Sequence, residues 1–419
     1  MRRLPAYVWT LTALLGGIAA GGAFPHAFAP VAVGTRTVLS WLVRGAPFLI
    51  VGALGPALAT LVRRQLAGRF LALVLAWFVV MSIAGGLIGL VVGAVVFRLP
   101  LHEPGSALGA EAHALWEVGF RGQASTAGLA VAASVVIGGI GAFADPAYAL
   151  LRQVERGVVR AGALMALLMA PLVLALGVML GVEFGARVGM SHYGLMVLWS
   201  ATLAAIWWLF YGALVLPLAG RVALHKQLVR EYVVPTALFA ASTCSSLATI
   251  PVNMANLKRI GVREEVTDCV VPIGAIVHKG ASAMQYMAYG PLIAGAIFGL
   301  RLDWLHLGVA LPFVVIYSMA APGVPGAMGL SLWTGVLYAA LLGLDDPLRT
   351  TFIGTWVALT GGVPDMFRSS GNATADGFSA IVFSNNFDRL TATGACPPSS
   401  RGRADAAPGP EDRGASRRR

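Results

Sequence analysis

Asp365, Arg368, Asn372 and Asp376 follow one another at spacings of three, four and four residues, the interval that lines side chains up along one helix face. Around them, the stretch from Thr351 to Phe383 is built largely of Gly, Ala, Val, Ile and Phe. A charge at the centre of a bilayer costs about 2.5–3.5 kcal/mol on insertion scales, so three ionisable groups on one apolar helix require a polar cavity with partners or a ligand. The stripe is read as a polar binding site inside a membrane protein. The competing reading is a self-paired Asp365/Arg368/Asp376 set that only locks helices together, although buried ion pairs are weak stabilisers.

The rest of the chain agrees with a membrane setting. It has 419 residues, of which 57% are hydrophobic and 12% charged, and its mean hydropathy is +0.76, well outside ordinary soluble composition. The formal net charge is +11, but the arginines cluster between apolar runs and after Thr393, which is a positive-inside pattern and gives no reason to expect a nucleic-acid partner. Cys244, Cys269 and Cys396 are odd in number and lack CxxC or His-rich spacing, so neither a disulfide framework nor a zinc site is expected.

Apolar runs near 6–33, 37–62, 68–98, 126–151, 158–183 and 190–219 give six expected spans. Met1-Arg2-Arg3, the first apolar run and Ala-Phe-Ala near position 28 have the parts of a secretory signal, yet the length of the run favours a first spanning helix. Connections carry Arg63, Arg64 and Arg69; then Glu103, Glu111 and Glu117 against Arg121; then Arg152 and Arg156; then Arg221, Lys226 and Arg230. That alternation puts the N-terminus and the loop near 220–230 in the cytoplasm.

The next segment, about 231–257, is flanked by basic clusters on both sides, the second being Lys258, Arg259 and Arg263. It is expected to enter and return, turning at its polar centre Ser242-Thr243-Cys244-Ser245-Ser246. A crossing is expected at about 264–298, and then a second hairpin at about 307–341, because Pro322-Gly323-Val324-Pro325-Gly326 forbids a continuous helix. One last helix, about 350–388, returns inward and leaves the arginine-rich tail cytoplasmic. Interrupted hydrophobic segments entering from opposite sides are the pattern of a secondary transporter with inverted repeats.

On three features in order, the segment 231–388 resembles the dicarboxylate/amino acid:cation symporter family, which includes the glutamate transporters. They are the tip Ser242 to Pro251, the tip Gly323-Val324-Pro325-Gly326, and Asp365-Met366-Phe367-Arg368 with Asn372 and Asp376. The resemblance implies an all-α polytopic membrane protein of eight transmembrane helices and two re-entrant helical hairpins, arranged as inverted repeats in an elevator-type homotrimer. Residues 1–220 would form a six-helix half, mostly scaffold, with its third and sixth helices joining the transport domain. Residues 221–390 would form the transport core and 391–419 a disordered basic cytoplasmic tail.

By the same resemblance Asp365 binds a substrate amino group, Arg368 a side-chain carboxylate and Asn372 the α-carboxylate. Ser369, Ser282, Ser245, Ser246 and the gate Gly323, Val324, Pro325 and Gly326 complete the substrate set. Asp376, a sodium ligand by that match, joins Asn372, Gly274, His278 and Lys279 in the cation site. The implied function is secondary active transport of aspartate- or glutamate-like substrates through a bacterial-type inner (plasma) membrane, both termini cytoplasmic. C4-dicarboxylate symport and a degenerate, non-transporting member are the alternatives.

The chain departs from the family at its sodium motif. Where the family has Asn-Met-Asp-Gly-Thr, the aligned residues are His278-Lys279-Gly280-Ala281-Ser282, and another sodium site reads Phe78, Met81 and Ser82. A lysine in an apolar span needs a counter-charge or a shifted pKa, and Asp376 is the expected partner. The ammonium then stands where sodium would bind, with coupling to protons, exchange or no coupling; the plainer reading is a lysine that snorkels or closes a static salt bridge. His278 is either a proton shuttle or a satisfied hydrogen-bonding group. No cofactor is expected beyond sodium or a proton as coupling ion. An enzyme built on Lys279 with Ser282, or Ser245 with His278, lacks any recognisable nucleophile setting, so the chain is expected not to be an enzyme.

Overall fold

A computed structural model describes residues 6–63, 69–100, 113–118, 123–219, 228–321 and 328–391. Every described element is helical, and no strand occurs among the described residues. The first half comprises α1 (Ala6–Ala23), α2 (Pro25–Arg63), α3 (Arg69–Val96), α4 (Gln123–Phe143), α5 (Asp145–Phe184) and α6 (Ala186–Phe210). The second half comprises α7 (Val234–Thr243), α8 (Ser246–Arg259), α9 (Glu264–Val277), α10 (Gly280–Gly290), α11 (Trp304–Ala320), α12 (Met328–Leu341), α13 (Leu348–Thr360), α14 (Val363–Asn385) and α15 (Phe387–Thr391).

Several boundaries differ from expectation for reasons of local chemistry. The first two helices part at Phe24 rather than near residue 35, because Pro25 opens α2 while Gly34 is absorbed within it. The chain likewise turns at Ala144, where Pro146 sits in the first turn of α5. Arg152 and Arg156, expected in a connection, therefore lie inside a helix of 40 residues, about 60 Å long at 1.5 Å per residue.

Each expected crossing of the second half is broken in two. The segment 264–298 is interrupted at His278 and Lys279, whose backbones are non-helical. The expected helix 350–388 is α13 and α14, separated at Gly361-Gly362. Gly362 has φ 67°, and a Cβ there would stand 2.7 Å from Tyr193 Oη, so only glycine fits this break. Around Ser242–Ser246 the chain makes a helix–turn–helix, α7 and α8 packing on each other through a two-residue turn. In that turn Cys244 takes a left-handed conformation and Ser245 caps α8, its Oγ accepting from the Ala248 amide at 3.1 Å.

Packing runs from an apolar outside to a polar centre. The α3 helix presents Val91, Val95 and Val96 outward, α4 presents Leu129, Val136 and Phe143, and α6 presents Leu198 and Leu209, all exposed. Such faces need an apolar surrounding. Residues Ala72–Val96 and Val188–Ala219 are each long and apolar enough to cross a membrane. Close helix approach is permitted by small residues: Gly17 and Gly21 of α1 lie against the α5 backbone at Leu174 and Val178, and Gly85 and Gly89 of α3 against α10 at Gly280 and Met284.

The centre is α14, which packs against α6, α7, α8, α9 and α10 and is buried from Arg368 to Ser384. A helix this polar is held by donors from its neighbours. Trp207 Nε1 donates to the Gly371 carbonyl at 3.2 Å, Asn253 Nδ2 to that of Ala373 at 2.7 Å and Tyr232 Oη to that of Thr374 at 2.9 Å. Trp208 Nε1 donates to Thr374 Oγ1 at 2.9 Å and Trp77 Nε1 to Ser379 Oγ at 3.0 Å.

Candidate functional site

The four polar residues of α14 project into three adjoining clusters, each completed by a helix break. At the N-terminal end, Pro364 and Asp365 occupy the first turn, where proline is pre-set for the helix and a carboxylate complements the helix dipole. Tyr193, reaching from α6, accepts the Val363 amide on its Oη at 3.0 Å and so fixes the start of α14. One turn on, Arg368 Nη2 donates to Asp365 Oδ1 at 2.5 Å, and its Nη1 is 3.4 Å from the Thr360 carbonyl. The guanidinium lies over the Tyr286 ring, 4.7 Å from its centroid. Ser369 Oγ is 3.4 Å from the same Asp365 oxygen.

This cluster is almost sealed, with Asp365 3% and Arg368 2% exposed. Its wall is a hydroxyl chain across three helices: Tyr286 Oη lies 2.6 Å from Ser331 Oγ, which also accepts from Thr360 Oγ1 at 3.0 Å. The α7–α8 hairpin packs along α14 on another side, where Ser370 Oγ donates to the Ala237 carbonyl at 2.9 Å. Ser245 and Ser246, both buried, lie at its turn. Gly323, Val324, Pro325 and Gly326 lie outside the described residues.

The second cluster joins α14 to the start of α10. Asn372 Oδ1 accepts from the amides of Ala281 at 3.1 Å and Ser282 at 3.3 Å, and Asn372 Nδ2 donates to Ser282 Oγ at 2.8 Å. The amide side chain is therefore a cap supplied in trans to a helix N-terminus that has no cap of its own.

The third cluster corrects one expectation. Asp376 pairs not with Lys279 but with His278, whose Nδ1 is 2.8 Å from Oδ1. With Nδ1–H given to the carboxylate, Nε2 faces Tyr211 Oη at 3.2 Å. Phe78 of α3 stacks on the imidazole at 4.7 Å. Gly274 is buried beside them, and a Cβ there would lie 2.5 Å from Asp376 Oδ1 and 3.0 Å from Phe78 Cζ. Lys279 turns back along α9, and its ammonium donates to the Ala275 carbonyl.

These engagements decide how the site suits a sodium ion, which would need several free oxygens. Asp376 Oδ1 faces His278 Nδ1, Asn372 Oδ1 accepts two amides, the Gly274 carbonyl accepts His278 N at 2.8 Å, and the Ala275 carbonyl accepts Lys279. Gly280 offers no side-chain oxygen at all. With each of these oxygens facing an N–H donor, the arrangement among the described residues does not fit a cage of free oxygens for sodium. Among the described residues, no group of three or more His, Cys, Asp or Glu side chains could hold a metal ion.

Tyr286, Thr360, Ser331, Tyr193 and Tyr211 were not among the residues singled out from the sequence. Tyr286 stands four residues after Ser282 on α10, so helical spacing carried a signal for it. Tyr211 lies in a π-helical turn, Tyr211–Val215, 67 residues before His278, and only packing brings the two together.

Comparison with known proteins adds one finding. A family model described as the sodium:dicarboxylate symporter family matches residues 124–386, more than half of the chain and every residue named in the three clusters except Phe78. The protein is a membrane transporter, and it belongs to the sodium:dicarboxylate symporter family.

Proposed function

We propose that the protein carries acidic amino acids of the aspartate and glutamate type, with Asp365 receiving the substrate ammonium and Arg368 its side-chain carboxylate. The observation that supports this most is the buried Asp365–Arg368 pair, 2.5 Å apart, in which each charge has the other as its ion-pair partner among the described residues. A substrate bearing both signs exchanges this internal pair for two external ones, so neither charge is left stranded. A simple dicarboxylate satisfies Arg368 but sets a second anion near Asp365, which costs affinity. The Asn372 Nδ2 group, next along the same helix face, is the donor proposed for the α-carboxylate.

The finer architecture belongs to the same proposal. Residues 221–390, with α3 and α6, form the moving transport domain of an elevator, and the remaining helices form a scaffold in a homotrimer. By the family resemblance, the α7–α8 turn and Gly323 to Gly326 are the gates of the site. The chain lies in a bacterial-type inner (plasma) membrane with cytoplasmic termini.

Uptake of labelled aspartate, glutamate, succinate and alanine into proteoliposomes, with analysis of the internal label, tests the reading. Saturable uptake of unmodified aspartate or glutamate in preference to succinate and alanine is expected. Uptake of succinate alone would transfer the assignment to C4-dicarboxylates, and uptake of none of them would leave a degenerate member.

A further inference from the structure

Among the described residues, four buried side chains carry formal charge and balance one another: the anions Asp365 and Asp376 and the cations Arg368 and Lys279, each 3% exposed or less. Asp365 and Arg368 form one pair. Asp376 is held by His278, and the charge that offsets it is Lys279, the neighbour of that histidine in the α9–α10 break.

The break itself is a cation site by geometry. The C-terminal end of α9 presents its last carbonyls toward the interruption, and a half-helix C-terminus of this kind attracts positive charge. The group found on those carbonyls is the Lys279 ammonium, bonded to Ala275. The neighbouring Gly274 carbonyl, Asn372 Oδ1 and Asp376 Oδ1 each face an N–H partner. Trp207 seals the same point, its ring atoms lying 2.7 Å from where a Gly280 Cβ would be, and Phe78 closes the far face of His278.

We propose that Lys279 is a built-in cation that takes the place of a coupling sodium ion, so that the site is assembled and binds its acidic substrate without sodium. The proposal rests on the transport reading given above and specifies its coupling. Because the ammonium is tethered, its charge offsets that of Asp376 from the Ala275 carbonyl without an ion having to bind. Sodium, which would have to displace an attached group of the same charge, gains no foothold.

The test uses the purified full chain in nanodiscs. Thermal unfolding and tryptophan fluorescence are followed as sodium chloride replaces choline chloride at constant ionic strength, and aspartate binding is measured calorimetrically in each salt. Wild type, Lys279→Met and Lys279→Arg are compared. In the wild type the expected result is no sodium-specific change in either signal and an aspartate Kd equal in the two salts within about twofold. Lys279→Met should lose aspartate affinity in choline by about tenfold or more, and Lys279→Arg should retain most of it.

A saturable sodium-specific shift in the wild type, or aspartate binding that requires sodium, would overturn the proposal. So would a folded Lys279→Met variant with unchanged affinity in choline. If that variant does not fold, the wild-type arm still decides. A protein that binds no acidic substrate in either salt counts against the transport assignment, while its response to sodium alone continues to test the built-in cation.

Discussion

Replacing Arg368 by Cys should convert the substrate preference rather than abolish binding. In the structure the guanidinium is bonded to Asp365 at 2.5 Å, approaches the Thr360 carbonyl at 3.4 Å and lies 4.7 Å from the Tyr286 centroid. An incoming carboxylate takes over the hold that Asp365 has on Nη2, while the cation–π and carbonyl contacts remain, so the net gain on binding is about one charge-assisted hydrogen bond. Such a bond contributes about 1.5–3 kcal/mol, which corresponds to about 10- to 150-fold in affinity. Aspartate binding to Arg368→Cys should weaken by that factor, whereas alanine or serine, which strand the guanidinium in the wild type, should bind as well as before or better. Removing one partner of a buried pair also costs about 3–5 kcal/mol of stability. The acidic-to-neutral affinity ratio, taken within one preparation by calorimetry and checked by thermal unfolding, is independent of how much protein is folded. An aspartate affinity unchanged within about twofold would remove Arg368 from the site.

Three further substitutions probe neighbouring contacts. Asp365→Asn should cripple aspartate uptake while affecting succinate much less, because only the amino acid presents an ammonium; equal loss for both would contradict the role of Asp365. Gly274→Ala drives a methyl to 2.5 Å from Asp376 Oδ1, and overpacking of this kind costs about 1–3 kcal/mol, so unfolding temperature and substrate binding should fall together. Tyr193→Phe leaves the part-buried Val363 amide without its 3.0 Å acceptor, at about 0.5–1.5 kcal/mol for a lost hydrogen bond. A drop in unfolding temperature with near-normal substrate selectivity is the expected signature.

The helix carrying Asp365, Arg368, Asn372 and Asp376 was legible in the sequence because polar residues at helical spacing stand out against an apolar background. The turn at Cys244-Ser245 was legible for a similar reason, polar residues between two basic flanks. Breaks of one or two residues were not. Phe24 and Ala144 are themselves apolar or small, so hydropathy runs smoothly through them, and the prolines just beyond mark a boundary without fixing which helix they open. The interruption at Gly361-Gly362 depends on Tyr193 arriving from α6, a contact across 170 positions. The partner of Asp376 was assigned to Lys279 because opposite charges attract. The fold instead places His278, one residue away, at 2.8 Å, a choice made by backbone direction at the helix break. Charge complementarity alone does not carry that information.

The most direct measurement is a structure of the protein determined with aspartate bound. The predicted result is the side-chain carboxylate on the Arg368 guanidinium and the ammonium on Asp365, with their mutual 2.5 Å bond opened to admit the ligand and Lys279 still on the Ala275 carbonyl. An intact Asp365–Arg368 pair with aspartate bound elsewhere, or a metal ion in the place of the Lys279 ammonium, would contradict it.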